Sequence, residues 1–188
     1  MNKKIKNIFL GALAAMLFLP IAANAQMLSV NSDVLWDVAM SPNIGLEMTV
    51  ANKSTLQVNA ITSQKPYGKD VRFTAVQPEY RFYYSGRPMN KHYVGVCAFG
   101  AVYKTTIKDK DYNGSAAGGG LTFGYVLPLA KRLNVDFHAG MGMAKYRQKE
   151  YYTGQEHDKN AEGYEVANAN GWLFVPTRIG VSLSYILK

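Results

Sequence analysis

Trp172-Leu173-Phe174-Val175-Pro176-Thr177-Arg178-Ile179-Gly180-Val181-Ser182-Leu183-Ser184-Tyr185-Ile186-Leu187-Lys188 is the run whose reading decides the fold. Its odd positions are nearly all apolar, while Arg178, Gly180, Ser182 and Ser184 share the even face. Side chains on a strand alternate between faces, so the pattern predicts a two-faced β-strand. Ile179 to Leu187 falls in the range of about nine to eleven residues that a tilted strand needs to cross a bilayer. The expectation is the closing strand of a small membrane barrel, paired with strands earlier in the chain.

At the other end, Met1 to Ala25 reads as an export signal. Lys3, Lys4 and Lys6 precede the apolar run Ile8 to Leu19, Pro20 breaks it, and Ala23-Asn24-Ala25 supplies small residues for cleavage. The apolar run is too short for a spanning helix. Gln26, not Cys, follows the expected cut, so no lipid anchor is expected. The domains are therefore 1–25, a cleaved signal peptide, and 26–188, a single barrel exported through the Sec pathway. Removing three lysines from 21 basic residues leaves 18 against 13 acidic ones, a surplus of about 5. The surplus is scattered near turns and forms no basic block, which argues against nucleic-acid binding. The single Cys97 excludes an internal disulfide and a cysteine-rich zinc site.

Between these ends, alternating segments recur between turn signals. Strands are expected at Asn31 to Met40, Asn43 to Val50, Thr55 to Ile61, Val71 to Tyr84, His92 to Thr106, Ser115 to Leu127, Leu133 to Gln148 and Trp172 to Leu187. Ala51 to Ser54, Ser85 to Lys91 and Pro128 to Arg132 make short connections; Thr62 to Asp70, Ile107 to Gly114 and Lys149 to Gly171 make longer ones. Short turns on the periplasmic side and long loops outside are the asymmetry of outer-membrane barrels. The link at Ser41-Pro42 is so tight that residues 31–50 read either as two strands or as one bent strand. The count of eight keeps both termini on one side, and the expected fold is an all-β, eight-stranded, antiparallel up-and-down transmembrane barrel.

The polar faces of these strands suggest which side is inside. Ile44, Leu46, Met48 and Val50 oppose Asn43, Gly45 and Glu47; Tyr80, Phe82 and Tyr84 oppose Glu79 and Arg81. Leu121, Phe123 and Tyr125 oppose Gly120, Thr122 and Gly124, and Val135, Phe137 and Met141 oppose Asp136, His138 and Gly140. The fifth strand is apolar on both faces and has no assigned orientation. A water-facing surface carries long Lys and Glu, whereas this face is rich in glycine, with few charges of both signs, as a crowded concave interior requires. Buried charges persist when paired, so Glu47, Glu79, Arg81, Asp136, His138 and Arg178 are expected to form an ion-pair network in a filled lumen.

Tyr84, Tyr93, Tyr125 and Tyr185 near one set of strand ends, and Tyr103, Tyr146, Tyr151 and Trp172 near the other, read as interfacial girdles. Pro78 and Pro176 each remove a ladder donor, so both call for a bulge or a rim.

Asp37 with Ser41-Pro42-Asn43-Ile44-Gly45-Leu46-Glu47, Val76-Gln77-Pro78-Glu79-Tyr80-Arg81, Tyr93-Val94-Gly95-Val96, and the ending from Pro176 resemble the domain of unknown function 3575. That resemblance, over almost the whole mature chain, implies an outer-membrane barrel of the Bacteroidetes envelope with no agreed activity. The occurrence of some members near fimbrillin-type genes implies a surface or pilus-related role.

Candidate chemistry is sparse. Asp109-Lys110-Asp111-Tyr112-Asn113-Gly114 matches the first half of a calcium loop, but the twelfth position is Gly120, where a carboxylate is needed. His92 is expected near the periplasmic end, His138 beside Asp136 in the lumen, and His157 in the longest loop between Glu156 and Asp158. None has a hydroxyl nucleophile at a recognisable spacing. No cofactor, metal or catalytic residue is assigned. The loop from Lys149 to Gly171 carries Tyr151, Tyr152, His157 and Tyr164, the candidate binding residues, because polar loops on a rigid barrel are common recognition elements. The expected function is a non-enzymatic outer-membrane barrel with a structural or surface-binding role. Its expected partners are outer-membrane lipid and lipopolysaccharide, the barrel-assembly machinery, and a fimbrial or surface protein. The alternatives are an outer-membrane lipid-modifying enzyme acting through His157 or His138, and a soluble periplasmic binding module.

Overall fold

The computed structural model describes residues 27–68, 70–107, 110–152 and 167–187. Eight antiparallel strands, each hydrogen-bonded to the next and the last to the first, close into a barrel. The strands are β1 (Leu28–Asp33), β2 (Asn43–Ala51), β3 (Ser54–Gln64), β4 (Val71–Tyr83), β5 (Lys91–Ile107), β6 (Lys110–Pro128), β7 (Leu133–Tyr152) and β8 (Ala169–Ile186). A short helix, α1 (Val34–Val38), lies between β1 and β2. The near end of the barrel holds the start of β1, the end of β8 and the turns after β2, β4 and β6; the far end holds the other connections.

Residues 31–50 form two strands, as the count of eight requires, but the expected first strand, Asn31 to Met40, is wrong in its second half. The Asp33 carboxylate accepts a hydrogen bond from the Leu35 amide at 3.0 Å and caps α1, turning the chain out of the sheet. Asn43 fixes the return, donating to the Asp33 carbonyl at 3.0 Å and to the Asp37 carboxylate at 2.9 Å. Asp37 also accepts from Ser32 Oγ at 2.6 Å. A link read as two residues is therefore a capped helical turn.

Two long loops are also shorter than expected. β5 and β6 pair out to Ile107 and Lys110, so the expected loop Ile107 to Gly114 is mostly strand. β7 and β8 likewise extend to Tyr152 and Ala169, which absorbs both ends of the expected loop Lys149 to Gly171. Once two strands are in register, each added residue pair satisfies backbone groups, so pairing continues past the point where the sequence turns polar.

The prolines sit where the ladders allow them. Pro78 pairs with Val58 of β3, but the β4–β5 ladder skips from Val76↔Gly100 to Glu79↔Cys97, and the missing donor falls in that gap. Pro176 adjoins a β-bulge: Gly140 faces Arg178 while Met141 faces Pro176, leaving Thr177 as the extra residue. Below the bulge Arg178, Gly180, Ser182 and Ser184 point inward; above it the pairings turn Leu173 and Val175 inward and Trp172 and Phe174 outward.

Large apolar side chains cover the outer surface. Leu46, Tyr80, Phe82, Leu121, Phe123, Phe137, Met141, Ile179 and Leu183 are all exposed. On β5, Val96 is outside, 60% exposed, and Tyr93 and Cys97 are inside, which orients the one strand whose sequence is apolar on both faces.

Candidate functional site

The near half of the lumen is filled by side chains from all eight strands. Glu47, Glu79, Arg81, Asp136, His138 and Arg178 all point inward and all are buried. Arg81 is the hub. Its Nη1 lies 3.3 Å from Glu47 Oε2 and 3.0 Å from Asp136 Oδ2, and its Nη2 donates to Glu79 Oε2 at 3.3 Å. Arg81 Nε stands 3.1 Å from Glu79 Oε1, close enough for charge attraction but outside hydrogen-bond alignment. Arg178 Nη1 donates to the same Glu79 carboxylate at 2.6 Å.

Every carboxylate of the network has neutral donors besides. Thr55 Oγ1 and the Tyr83 hydroxyl donate to Glu47 Oε1 at 2.6 and 2.7 Å, Thr122 Oγ1 donates to Glu79 Oε1 at 2.6 Å, and the Tyr93 hydroxyl donates to Asp136 Oδ1 at 3.1 Å. The Arg81 guanidinium also stacks 4.4 Å from the centre of the Tyr93 ring. Below this layer Tyr83, Tyr93 and Val126 form an apolar cluster, and Met89 of the β4–β5 turn is buried at the near end.

His138 joins the network through a residue the sequence reading left out. Its Nε2 lies 2.8 Å from Asp33 Oδ2, while its Nδ1 is 3.8 Å from Asp136 Oδ2, beyond hydrogen-bonding range. The tautomer with the proton on Nε2 makes Asp33 the acceptor from both the ring and the start of α1. Asp33, Thr55, Tyr83, Tyr93 and Thr122 are the members that sequence alone missed. In sequence Asp33 falls within a longer expected strand, and Tyr93 reads as a girdle residue. The signal that finds them is parity: Tyr83 and Thr122 sit two residues from Arg81 and Gly120, and Asp33, Thr55 and Tyr93 follow once β1, β3 and β5 are oriented.

Among the described residues the far half of the lumen is hollow, which corrects the expectation of a barrel filled throughout. A cavity of about 740 Å³ lies above Asp33 and Arg178, lined by Phe73, Ala75, Phe99, Ala144 and Leu173 among others. Tyr103 and Tyr146 line it and are therefore not girdle residues, and the Tyr103 hydroxyl donates to Gln148 Oε1 at 2.6 Å. Trp36 of α1 forms part of the same wall and meets Phe73 edge to face at 5.8 Å between ring centres. The wall is uneven: β1 pairs with β8 only from Asp33↔Ser182 to Ser29↔Ile186, so α1 stands beside the far part of β8 where a strand would continue. The Tyr67 hydroxyl donates to the Val38 carbonyl and ties α1 to the β3–β4 connection. In that connection Lys65 Nζ lies 2.8 Å from Asp70, and its hydrogen bond and charge hold the Asp70 carboxyl below the usual range.

The loop candidates do not form one surface. Tyr151 and Tyr152 lie on β7, Tyr151 buried and Tyr152 with its ring 4.8 Å from Lys110 Nζ, so neither is a loop residue. His157 and Tyr164 fall outside the described residues, as does the expected export signal. Asp111 to Gly114 of the calcium motif are paired strand residues of β6, and no cluster of metal-binding side chains occurs among the described residues.

The sequence pattern of one family, described as a protein of unknown function (DUF3575), matches residues 11–187, and the chain belongs to that family. Comparison with curated proteins and with solved structures gave no match.

Proposed function

We propose that this member of the family is a non-catalytic outer-membrane barrel, exported by the signal at 1–25, with a structural and surface-binding role in the cell envelope. One observation carries the reading: exposed Leu, Phe, Val and Ile side chains encircle a lumen that holds the charges. A folded chain in water does the reverse, and a continuous apolar surface of this kind is stable only against lipid or a protein partner. The lipid and lipopolysaccharide of the outer membrane are the partners that this belt suits. Among the described residues the ring of strands is closed apart from the stretch of β8 beside α1, which suits a chain that must satisfy its backbone without water.

His138 supports a structural role over a catalytic one, because its ring is sealed between Asp33 and Asp136 and has no exposed surface for a substrate. Surface binding, including any fimbrial contact, belongs to the far end.

Fractionation with gel electrophoresis of boiled and unboiled samples tests the placement. The expected result is an outer-membrane band whose mobility changes on boiling. Release with the periplasmic contents, with no need for detergent, would refute it.

A further inference from the structure

We propose that the far-half cavity is a binding site for a neutral, single-chain amphiphile, its apolar chain along the walls and an oxygen-bearing, uncharged head on the floor. The volume of about 740 Å³ lies within the range of about 300–1,000 Å³ common for small-molecule sites.

The bulge at Thr177 creates the space. With regular alternation from Arg178, the even positions Phe174 and Trp172 would point inward and fill an eight-stranded lumen with rings. The extra residue turns both rings outward, and puts Val175 and Leu173 inside instead. Ala144 beside Leu173, Ala116 one strand further on, and Ala75 across the lumen are all too small to fill the hollow. Leu173 is 54% exposed although it faces the lumen, so its apolar surface remains uncovered by the protein. A chain of methylenes there would bury that surface away from water.

The floor specifies the head. Asn59, Gln77 and Thr177 line the cavity, and Asn59 Nδ2, Gln77 Nε2 and Thr177 Oγ1 are buried with no partner among the described residues. Two amide donors and a hydroxyl favour a ligand with acceptor oxygens. Charge disfavours a carboxylate: Asp33, Glu47, Glu79 and Asp136 outnumber Arg81 and Arg178 beneath the floor, and Glu79 already engages Arg178. An ester or alcohol head fits, and a fatty acid does not. Beside far β8, where β1 gives no partner, the wall is α1, and the proposed chain enters past it. That access route rests on the membrane reading; the cavity does not.

Trp36 lines the cavity and Trp172 points outward, so a Trp172→Phe variant reports on the site alone. The probe is a monoacylglycerol with a brominated chain, titrated against protein in nanodiscs if it is membrane-bound and in buffer if it is soluble, so that the two readings fail separately. Saturable quenching of Trp36 is expected. In Ala144→Phe, which places a ring in the chain's path, the apparent affinity should fall at least about tenfold, and the brominated fatty acid should bind at least about tenfold more weakly than the ester to the Trp172→Phe protein. Val175→Phe serves the same purpose if Ala144→Phe does not fold, as judged by the mobility shift. Non-saturating quenching, or quenching unchanged by the filling substitution, would overturn the site. Equal affinity for the fatty acid would overturn the assignment of the head.

Discussion

Arg178 Nη1 lies 2.6 Å from Glu79 Oε2, an ion pair that joins β8 to β4 across the lumen with both side chains buried. Glu79 receives Arg81 and Thr122 as well, so a single carboxylate holds two guanidiniums and a hydroxyl. Replacing it by Gln leaves both cations without their shared counter-charge in a closed space. Glu79→Gln is expected to cost about 3–5 kcal/mol, the range for removing one partner of a buried pair. Urea titration followed by the mobility shift measures this, and a loss below about 1 kcal/mol would contradict the network's role. Combining Glu79→Gln with Arg178→Met should cost less than the sum of the two single changes, because the residues are in contact.

Asp33 links the lumen to α1, accepting from the Leu35 amide and from His138. Asp33→Ala removes the cap and strands the imidazole, for an expected loss of about 1–3 kcal/mol. It should also raise protease cleavage between Val34 and Met40. Asp33→Asn keeps an acceptor oxygen and should preserve the resistance of that segment. Equal cleavage of both variants would contradict the capping role.

Gly142 faces Gly120 in the β6–β7 ladder. A Cβ at Gly142 would lie 2.2 Å from the Gly119 carbonyl oxygen and 2.6 Å from the Gly120 Cα, both backbone atoms that cannot swing aside. Gly142→Ala should therefore push the strands apart at a cost of about 1–3 kcal/mol. At Gly180 the nearest obstacle is the Asp33 carboxylate, 2.1 Å from the added Cβ. There the damage should appear as looser α1 packing, with rising protease sensitivity between Val34 and Met40. A Gly142→Ala protein as stable as the parent would show that the strands relax without cost.

The strand count, the inward face and six members of the lumen network were legible in the sequence because each rests on a period of two, which survives any error in strand ends. Glu47, Glu79 and Arg81 could be placed inside without knowing where their strands stop. What was not legible depends on departures from that period. Asp33 ends a strand by capping a helix, a local competition between Val34-Leu35-Trp36 as strand formers and the carboxylate as cap. Thr177 is a bulge whose effect on Leu173 and Val175 appears only when β7 is in register beside it. The hollow far half follows from that bulge, so the alternation of the closing run predicted the near half and misled about the far half. That Tyr103 and Tyr146 line the cavity and not the outer girdle is not legible for a related reason: an aromatic near a strand end looks the same in sequence whether it faces in or out.

The central claim, that the apolar belt faces lipid, is tested most directly at Val96, which is 60% exposed on the outward face of β5 between Tyr80 and Leu121. Val96→Arg is measured by the unfolding free energy of the protein in a bilayer. If the belt faces lipid, the arginine should cost about 2–4 kcal/mol, the range for a lipid-facing cation near the midplane. If the belt faces water, the change should stay within about 0.5 kcal/mol, as for an ordinary surface substitution. A Val96→Arg protein that folds as stably as the parent and stays dispersed without lipid would contradict the account.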